Sequence, residues 1–392
     1  MSEKVVFEPG LESFFKEFNH QKRLAVAAVT NFTGRDRNGV HVVTRLANDG
    51  RFILKRIFTP EHGFNSDAPD GEHVESTKDA SLGIDIISLY GKQKKPALEQ
   101  LKDIDLLIYD MQDVGVRFYT YISTLRNILD AADEAGIPVA VLDRPDILGG
   151  ITVEGPMLEQ ELTSFVGHLP VALRYGMTPG ELALWWKQLN NLKIDVQVFK
   201  CQNYQCPDTF SKLGFPWYKM SPSMPDMLTA AFYPGTCLFE GTNISEGRGT
   251  DAPFRNLGAP WINSALWLEA LRPILPDTIS AEKSSFIPTF SKHENEECHG
   301  IKLISRNEIV ADAVYIGIAA LYSLMASHPG KIEFTGRPGL KNPFIDYLAG
   351  TENIRTGLVN GDKPDSILKS CSMGVKEFAR TREKHFLYQR RN

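Results

Sequence analysis

The chain has 392 residues, a formal net charge of −5 at pH 7, and 42% hydrophobic against 23% charged residues. This is ordinary for a globular protein, long enough for a substantial core and for two domains, or for one large domain with an appended one. The mild acidity, with no long basic run, argues against nucleic acid as a partner.

The opening residues, MSEKVVFEPGLESFF, lack the cationic start and apolar core of a signal peptide. They predict a cytoplasmic protein; removal of a leader would make it periplasmic or secreted instead. One grammar then repeats: apolar strand, polar turn, amphipathic helix. Strands are predicted over Leu24–Val29, Phe52–Phe58, Ile84–Leu89, Ile104–Tyr109 and Ile137–Leu142, with helical patterns at Ala97–Leu101 and Tyr121–Glu134. Ala135-Gly136 is a helix stop. Such alternation predicts an α/β fold with a parallel, doubly wound sheet.

Thr178 with Glu181 forms a capping box that opens a helix to Leu189, and Ile194–Phe199 is a further strand. Residues 204–225, rich in Pro, Tyr, Ser and Met, are expected to be a long irregular loop, and loops of that length are usually functional or mobile. Residues 232–254, dense in Gly, Thr and charge, are placed at a cleft rim. Helices are predicted over 264–271, 311–327 and 367–380, with a strand at 300–304. The longest apolar stretch, 313–326, is interrupted by Gly and Ser and falls short of the roughly 18 residues of a membrane span, so a buried helix is expected there. The expected division is therefore a domain over 1–260 that carries most of the site and a smaller α+β domain over 261–392 that closes the cleft. The cysteines, Cys201, Cys206, Cys237, Cys298 and Cys371, are odd in number and form no C-x-x-C, which predicts reduced thiols.

The polar residues after the strands carry the chemistry. They are Thr30-Asn31, then Pro60-Glu61-His62-Gly63, Tyr90-Gly91, Asp110-Met111-Gln112-Asp113 and Asp143-Arg144-Pro145. In a parallel sheet these five clusters share one edge, where such folds keep their ligands. Glu61, between a proline and a glycine-containing turn, suits a general acid if partly buried; otherwise it caps the next helix and His62 packs in the turn. Asp110 and Asp113 can share a site, orient a water or bind vicinal hydroxyls with Gln112, or one of them caps the helix that follows. Arg117, Arg144 and Arg248 are candidate anion clamps, or else ion-pair partners of Asp110, Asp143 and Asp251. Asn243 and Glu246 offer a polar ligand donors and acceptors.

Tyr119, Tyr121, Trp217, Tyr218 and Trp261 offer faces for sugar stacking, with Trp217-Tyr218 favoured. GTNISEGRGT lacks the ending of a phosphate loop, and VTNFTGRDRNG has the wrong glycine spacing for a dinucleotide site, so no cofactor is expected. His293, Cys298 and His299 in HENEECH match no common zinc spacing, and no metal is assigned to them.

Taken together, these segments resemble the bacterial exo-β-N-acetylmuramidase family, formerly known only as a domain of unknown function. The matching motifs are TPEHGF (59–64), ISLYG (87–91), YDMQDVGVRFYTYISTL (109–125), LDRPDILGG (142–150) and VEGP (153–156). SFVG (164–167), YGMTPGELA (175–183), PSMP (222–225), FEGTNISEGRGTDAPF (239–254), GAPW (258–261) and FARTREKHFLY (378–388) follow. The resemblance covers nearly the whole chain. It implies a Rossmann-like first domain, a smaller second one, and a site in the cleft between them. It implies release of N-acetylmuramic acid from the non-reducing end of peptidoglycan fragments, with Glu61 of the PEHG motif as the catalytic acid. Asp110, Asp113 or the substrate's own acetamido oxygen would then be the second catalytic group. His62, Gln112, Arg117, Tyr119, Tyr121, Asp143, Arg144, Glu154, Asn243, Glu246 and Arg248 are the expected substrate contacts. One of the three arginines would read the lactyl carboxylate. The expected partner is a small muropeptide or disaccharide. The competing possibilities are a non-catalytic muropeptide- or sugar-binding protein with the same cleft, and a metal-dependent hydrolase built on residues 293–299.

Overall fold

The computed structural model describes residues 6–68, 76–79 and 82–390. Residues 1–5, part of the stretch that bears on a leader, lie outside the described residues. In chain order the strands are β1 (Leu24–Thr30), β2 (Phe52–Thr59), β3 (Thr77–Lys78), β4 (Asp85–Ser88), β5 (Leu106–Asp110), β6 (Val139–Leu142), β7 (Glu154–Met157), β8 (Ala172–Arg174), β9 (Val196–Phe199), β10 (Asn256–Ala259), β11 (Ile279–Phe286) and β12 (Cys298–Ser305).

The large sheet is mixed but mostly parallel. Strands β4, β2, β1, β5, β6 and β9 lie side by side in that order, all parallel, and β3 pairs antiparallel with β4 at one edge. Chain order therefore reverses between β1 and β5. Both faces of the sheet are buried, which explains why its strands read as unbroken apolar runs. Along β1, Val26 and Ala28 enter one core and Ala27 and Val29 the other; Leu106 and Ile108 of β5 oppose Leu107 and Tyr109 in the same way. One core is closed by the helix Gly10–Glu17, whose Phe14 stacks on Phe52 at 5.5 Å and meets Phe199 edge-on at 5.0 Å. The predicted helix stop holds: Tyr121–Ala135 ends at Gly136 with φ of 69°. The capping box also holds, with the Thr178 hydroxyl accepting from the Glu181 N–H and the Glu181 carboxylate from the Thr178 N–H.

The second part is built on the antiparallel sheet β10-β12-β11 and on the helix Ala313–Ser327. The helix Met227–Thr236 packs on that helix so closely that a Cβ at Gly235 would stand 1.9 Å from the Ala313 carbonyl oxygen. The expected helix over 367–380 is two, Pro364–Ser370 and Val375–Thr381, because Gly374 takes a φ of 78° between them. Strand β11, ISAEKSSF, is not among the expected elements; only its Ile279 and Ala281 are buried, which leaves it without a sustained apolar signal. The chain end returns to the large sheet, where the Tyr388 hydroxyl donates to Asp143 at 2.6 Å.

Candidate active site

Glu61 is the second residue beyond β2, where the buried run gives way to Pro60. The turn that holds it is tight. His62 and Gly63 both have left-handed backbones, with φ of 70° and 73°. For His62, which carries a Cβ, that is an uncommon and costly conformation, of the kind that concentrates at functional sites. The Gly63 N–H donates to the Pro60 carbonyl at 3.2 Å, the Ala68 N–H to the His62 carbonyl at 3.3 Å, and His62 Nδ1 lies 2.8 Å from the Ala68 carbonyl oxygen. Glu61 is buried, and the Thr120 hydroxyl donates to its Oε2 at 2.7 Å. Thr120 precedes the helix Tyr121–Ala135, so elements following β2 and β5 jointly fix the carboxylate.

Glu61 opens on a cavity of about 540 Å³ with walls from both parts of the chain. The chain before Met227 supplies Glu61, His62, Tyr90, Lys94, Phe118, Tyr119, Thr120 and Phe165; the second part, taken from the helix Met227–Thr236 onward, supplies Tyr233, Glu240, Arg248, Arg337 and Phe344. The volume is that of a small-molecule site. The aromatic content is high: Tyr119 meets Tyr233 edge-on at 6.0 Å, and Tyr90 is tilted against Phe165 at 5.7 Å.

The second carboxylate in the described lining is Glu240, on the single turn Cys237–Gly241. Its Oε1 lies 2.6 Å from Arg248 and its Oε2 3.2 Å from Arg337. Arg248 is also 3.1 Å from Glu246, which in turn lies 2.8 Å from Lys292. Glu240, Arg337, Lys94 and Thr120 are not among the residues that the sequence alone brings forward. Glu240 stands in FEGTNISEGRGT, whose density in charge and glycine is the only available signal.

Of the predicted residues, Glu61, His62, Tyr119 and Arg248 meet in this cavity. Glu246 and Asn243 line an adjoining cavity of about 610 Å³ that shares Glu240, Arg248 and Arg337 with the first. The others are placed elsewhere. Asp110 and Arg144 form a fully buried pair, with Nε to Oδ1 at 2.7 Å and Nη2 to Oδ2 at 2.9 Å. Burial raises the Asp110 carboxyl to about 6, against the pull of the Arg144 guanidinium. Asp143 accepts from the Gly180 N–H at 2.7 Å and the Thr178 hydroxyl at 2.8 Å. Gln112 donates to the Pro145 carbonyl at 2.8 Å.

Glu154 pairs with Arg174 across β7 and β8 and accepts from the Val314 N–H at 3.1 Å, at the start of the helix Ala313–Ser327. Tyr121 donates to the Met220 carbonyl. Arg117 meets no carboxylate among the described residues. It donates to the carbonyls of Pro156 and Val171, each at 2.8 Å, and to those of Leu348 and Ala349. Trp217 and Tyr218 also lie off the cavity: Trp217 donates to the Met224 carbonyl at 3.2 Å and Tyr218 packs edge-on against Phe32. Trp261 packs against His328. A shared sheet edge is thus wider than a site. The ends of β2 and β4 reach the cavity, while the ends of β1, β5 and β6 are sealed by their own side chains.

Cys298 and His299 are neighbours on β12, so their side chains leave opposite faces, and His293 turns to the Asn243 carbonyl at 2.9 Å. Among the described residues, no group of three His, Cys, Asp or Glu side chains is arranged to hold a metal ion.

Asp113 is buried and does not line the cavity. Its Oδ2 accepts from the Tyr175 hydroxyl and, at 2.7 Å, from the Gly115 N–H, while Oδ1 has no hydrogen-bond partner among the described residues. Burial pushes its carboxyl up to about 7. Between about pH 4 and 7 the native protein then holds a proton that the unfolded chain has lost. The stability contributed by this group is complete below about pH 4 and disappears as pH rises through about 7. Asparagine keeps the neutral hydrogen bonds at every pH. The thermal midpoint of the wild type minus that of Asp113→Asn should therefore fall between pH 4 and 8; a flat difference would mean that Asp113 is ionised in the native state.

A profile described as exo-β-N-acetylmuramidase NamZ, N-terminal, matches residues 26–228, and its C-terminal counterpart matches residues 231–388. The chain is 38% identical over 388 residues to the peptidoglycan β-N-acetylmuramidase NamZ of Bacillus subtilis (strain 168), covering 99% of this chain and 92% of that protein. Two crystal structures of DUF1343 family proteins from Bacteroides fragilis are similar throughout. One superposes with a TM-score of 0.90 at 28% identity, covering 99% of this chain and 100% of its own; the other with 0.77 at 30%, covering 98% and 99%.

Proposed function

The chain belongs to the exo-β-N-acetylmuramidase NamZ family, and we propose that Glu61 is the general acid of its reaction. The protein is a glycoside hydrolase that releases N-acetylmuramic acid from the non-reducing end of peptidoglycan fragments. The observation that supports Glu61 is its position: a buried carboxylate, oriented by the Thr120 hydroxyl, at the wall of a cavity built from both parts of the chain.

Glycosidic cleavage needs a proton on the leaving oxygen and stabilisation of an oxocarbenium-like centre. Glu61 supplies the proton. For the second task the lining offers Glu240, fixed by two guanidinium groups, and the substrate brings its own 2-acetamido oxygen. Asp110 and Asp113 do not line the cavity. Tyr90, Tyr119, Phe165 and Tyr233 give the sugar ring apolar faces and exclude water. We read the large, mostly parallel sheet as Rossmann-like, a reading supported by the reversal of chain order between β1 and β5. At that reversal a dinucleotide would normally lie; here Asp110, Arg144 and the Thr30 hydroxyl, which donates to the Asp110 carbonyl at 2.8 Å, fill the space.

The expected result with a chromogenic β-N-acetylmuraminide and its glucosaminide counterpart is turnover of the first at a kcat/KM at least about 10-fold higher. Saturable binding without product, followed by calorimetry and product chromatography together, would instead establish a binding protein. Equal turnover of the two would defeat the assignment of the sugar.

A further inference from the structure

N-acetylmuramic acid differs from N-acetylglucosamine by a lactyl ether whose carboxylate is ionised at neutral pH. An enzyme that prefers the first needs a cation in reach of that group and not already neutralised. Lys94, Arg248 and Arg337 are the Lys and Arg side chains in the described lining.

Arg248 is saturated with negative charge, since Glu240 and Glu246 both contact it. It also lies over the Phe254 ring at 4.9 Å and its side chain is only 8% exposed. Lys292, behind it, pairs with Glu246 and donates to the carbonyls of Phe239, Thr242 and Ile244 at 2.7, 3.0 and 2.7 Å. Lys94 stands over the Phe165 ring at 4.8 Å as a point charge, and Arg337 differs from both lysines in offering a planar set of donors. Its side chain is 47% exposed, and one nitrogen touches Glu240 at 3.2 Å. Its Nε and Nη1 have no partner among the described residues. The Phe344 ring lies 3.5 Å below the guanidinium carbon and holds its plane.

Among the described residues, Arg337, Glu240, Arg248, Glu246 and Lys292 form one connected group of ion pairs. Arg337 is the exposed end of this group and stands in the wall shared by both cavities. The exposed guanidinium can bind a carboxylate at its free Nε or Nη1, or bidentately through Nη1 and the second N–H of Nη2.

We propose that Arg337 is the residue that reads the lactyl carboxylate of the substrate, with Arg248 and its two glutamates as the fixed support behind it. This rests on the glycosidase assignment, so it is tested by binding as well as by turnover. Calorimetry compares N-acetylmuramic acid with its primary carboxamide, which has nearly the same shape and no charge. The wild type should bind the acid about 10- to 100-fold more tightly, the range of a hydrogen bond to a charged group. Arg337→Ala should bring that ratio to within about 3-fold of unity, and Arg337→Lys should keep part of it. On the chromogenic muraminide the loss should appear in KM far more than in kcat.

Two results overturn the proposal: an undiminished ratio in Arg337→Ala, which would move the contact to Lys94 or Arg248, or a wild type that does not distinguish acid from amide. Failure to hydrolyse the muraminide would count against the reaction, and the binding ratio alone would then decide the role of Arg337.

Discussion

Glu61→Gln should lower kcat on a natural disaccharide by about 100- to 10,000-fold, the usual worth of a positioned general acid. That is about 3 to 5 kcal/mol of transition-state stabilisation. Glutamine has the same shape, and its amide oxygen still accepts from the Thr120 hydroxyl, so folding and KM should change little. The loss should also depend on the leaving group. A nitrophenolate departs with little protonation, whereas a sugar hydroxyl does not depart without it. The variant should therefore be damaged far less on an activated aryl muraminide than on the disaccharide. Equal losses on both substrates, or near-normal activity, would remove Glu61 from this role.

The second large effect is on stability. Arg144→Met leaves Asp110 without its guanidinium in a site from which water is excluded. Breaking a buried ion pair from one side costs about 3 to 5 kcal/mol, mostly the penalty of the stranded charge. Urea unfolding should show a loss of that size. The double variant Asp110→Leu, Arg144→Met should recover much of it, since a buried pair is often worth little against an apolar replacement. The folded fraction of Arg144→Met should retain its KM for the muraminide, because neither partner lines the cavity. A variant of normal stability with a collapsed kcat would return Asp110 and Arg144 to the chemistry.

These outcomes separate what is legible in the sequence from what is not. The strands of the large sheet are readable because both faces are buried, which leaves continuous apolar runs such as LAVAAVT and LLIYD. Glu61 is readable because the strand end, the proline and the glycine fix it locally. Asp110 looks equally promising, for a carboxylate at a strand end reads the same whether it faces a ligand or a guanidinium. Its partner is 34 residues away, just beyond the end of the next strand, and only the folded register reveals it. Glu240 and Arg337 are 97 residues apart, on a short turn and an irregular segment, with no period or motif to mark them. Their meeting depends on long-range packing within the second part, where the Thr335 N–H donates to the Gly241 carbonyl at 2.9 Å. The aromatic residues divide in the same way: Trp217-Tyr218 fills the chain's own long loop, while Tyr90 and Phe165 face the cavity.

Arg117 bears on how this architecture can change over evolutionary time. Burial lowers its guanidinium to about 9, and it is held by carbonyl oxygens from both halves of the chain. A recombination event that kept the large sheet and replaced the second half with an unrelated module would strand this cation with half of its acceptors missing. Domain shuffling, a common route by which sheet scaffolds acquire new substrates, is thereby penalised at a single residue. The two halves are bound to be inherited together, and new specificity must come by substitution within them, at exposed positions such as Arg337.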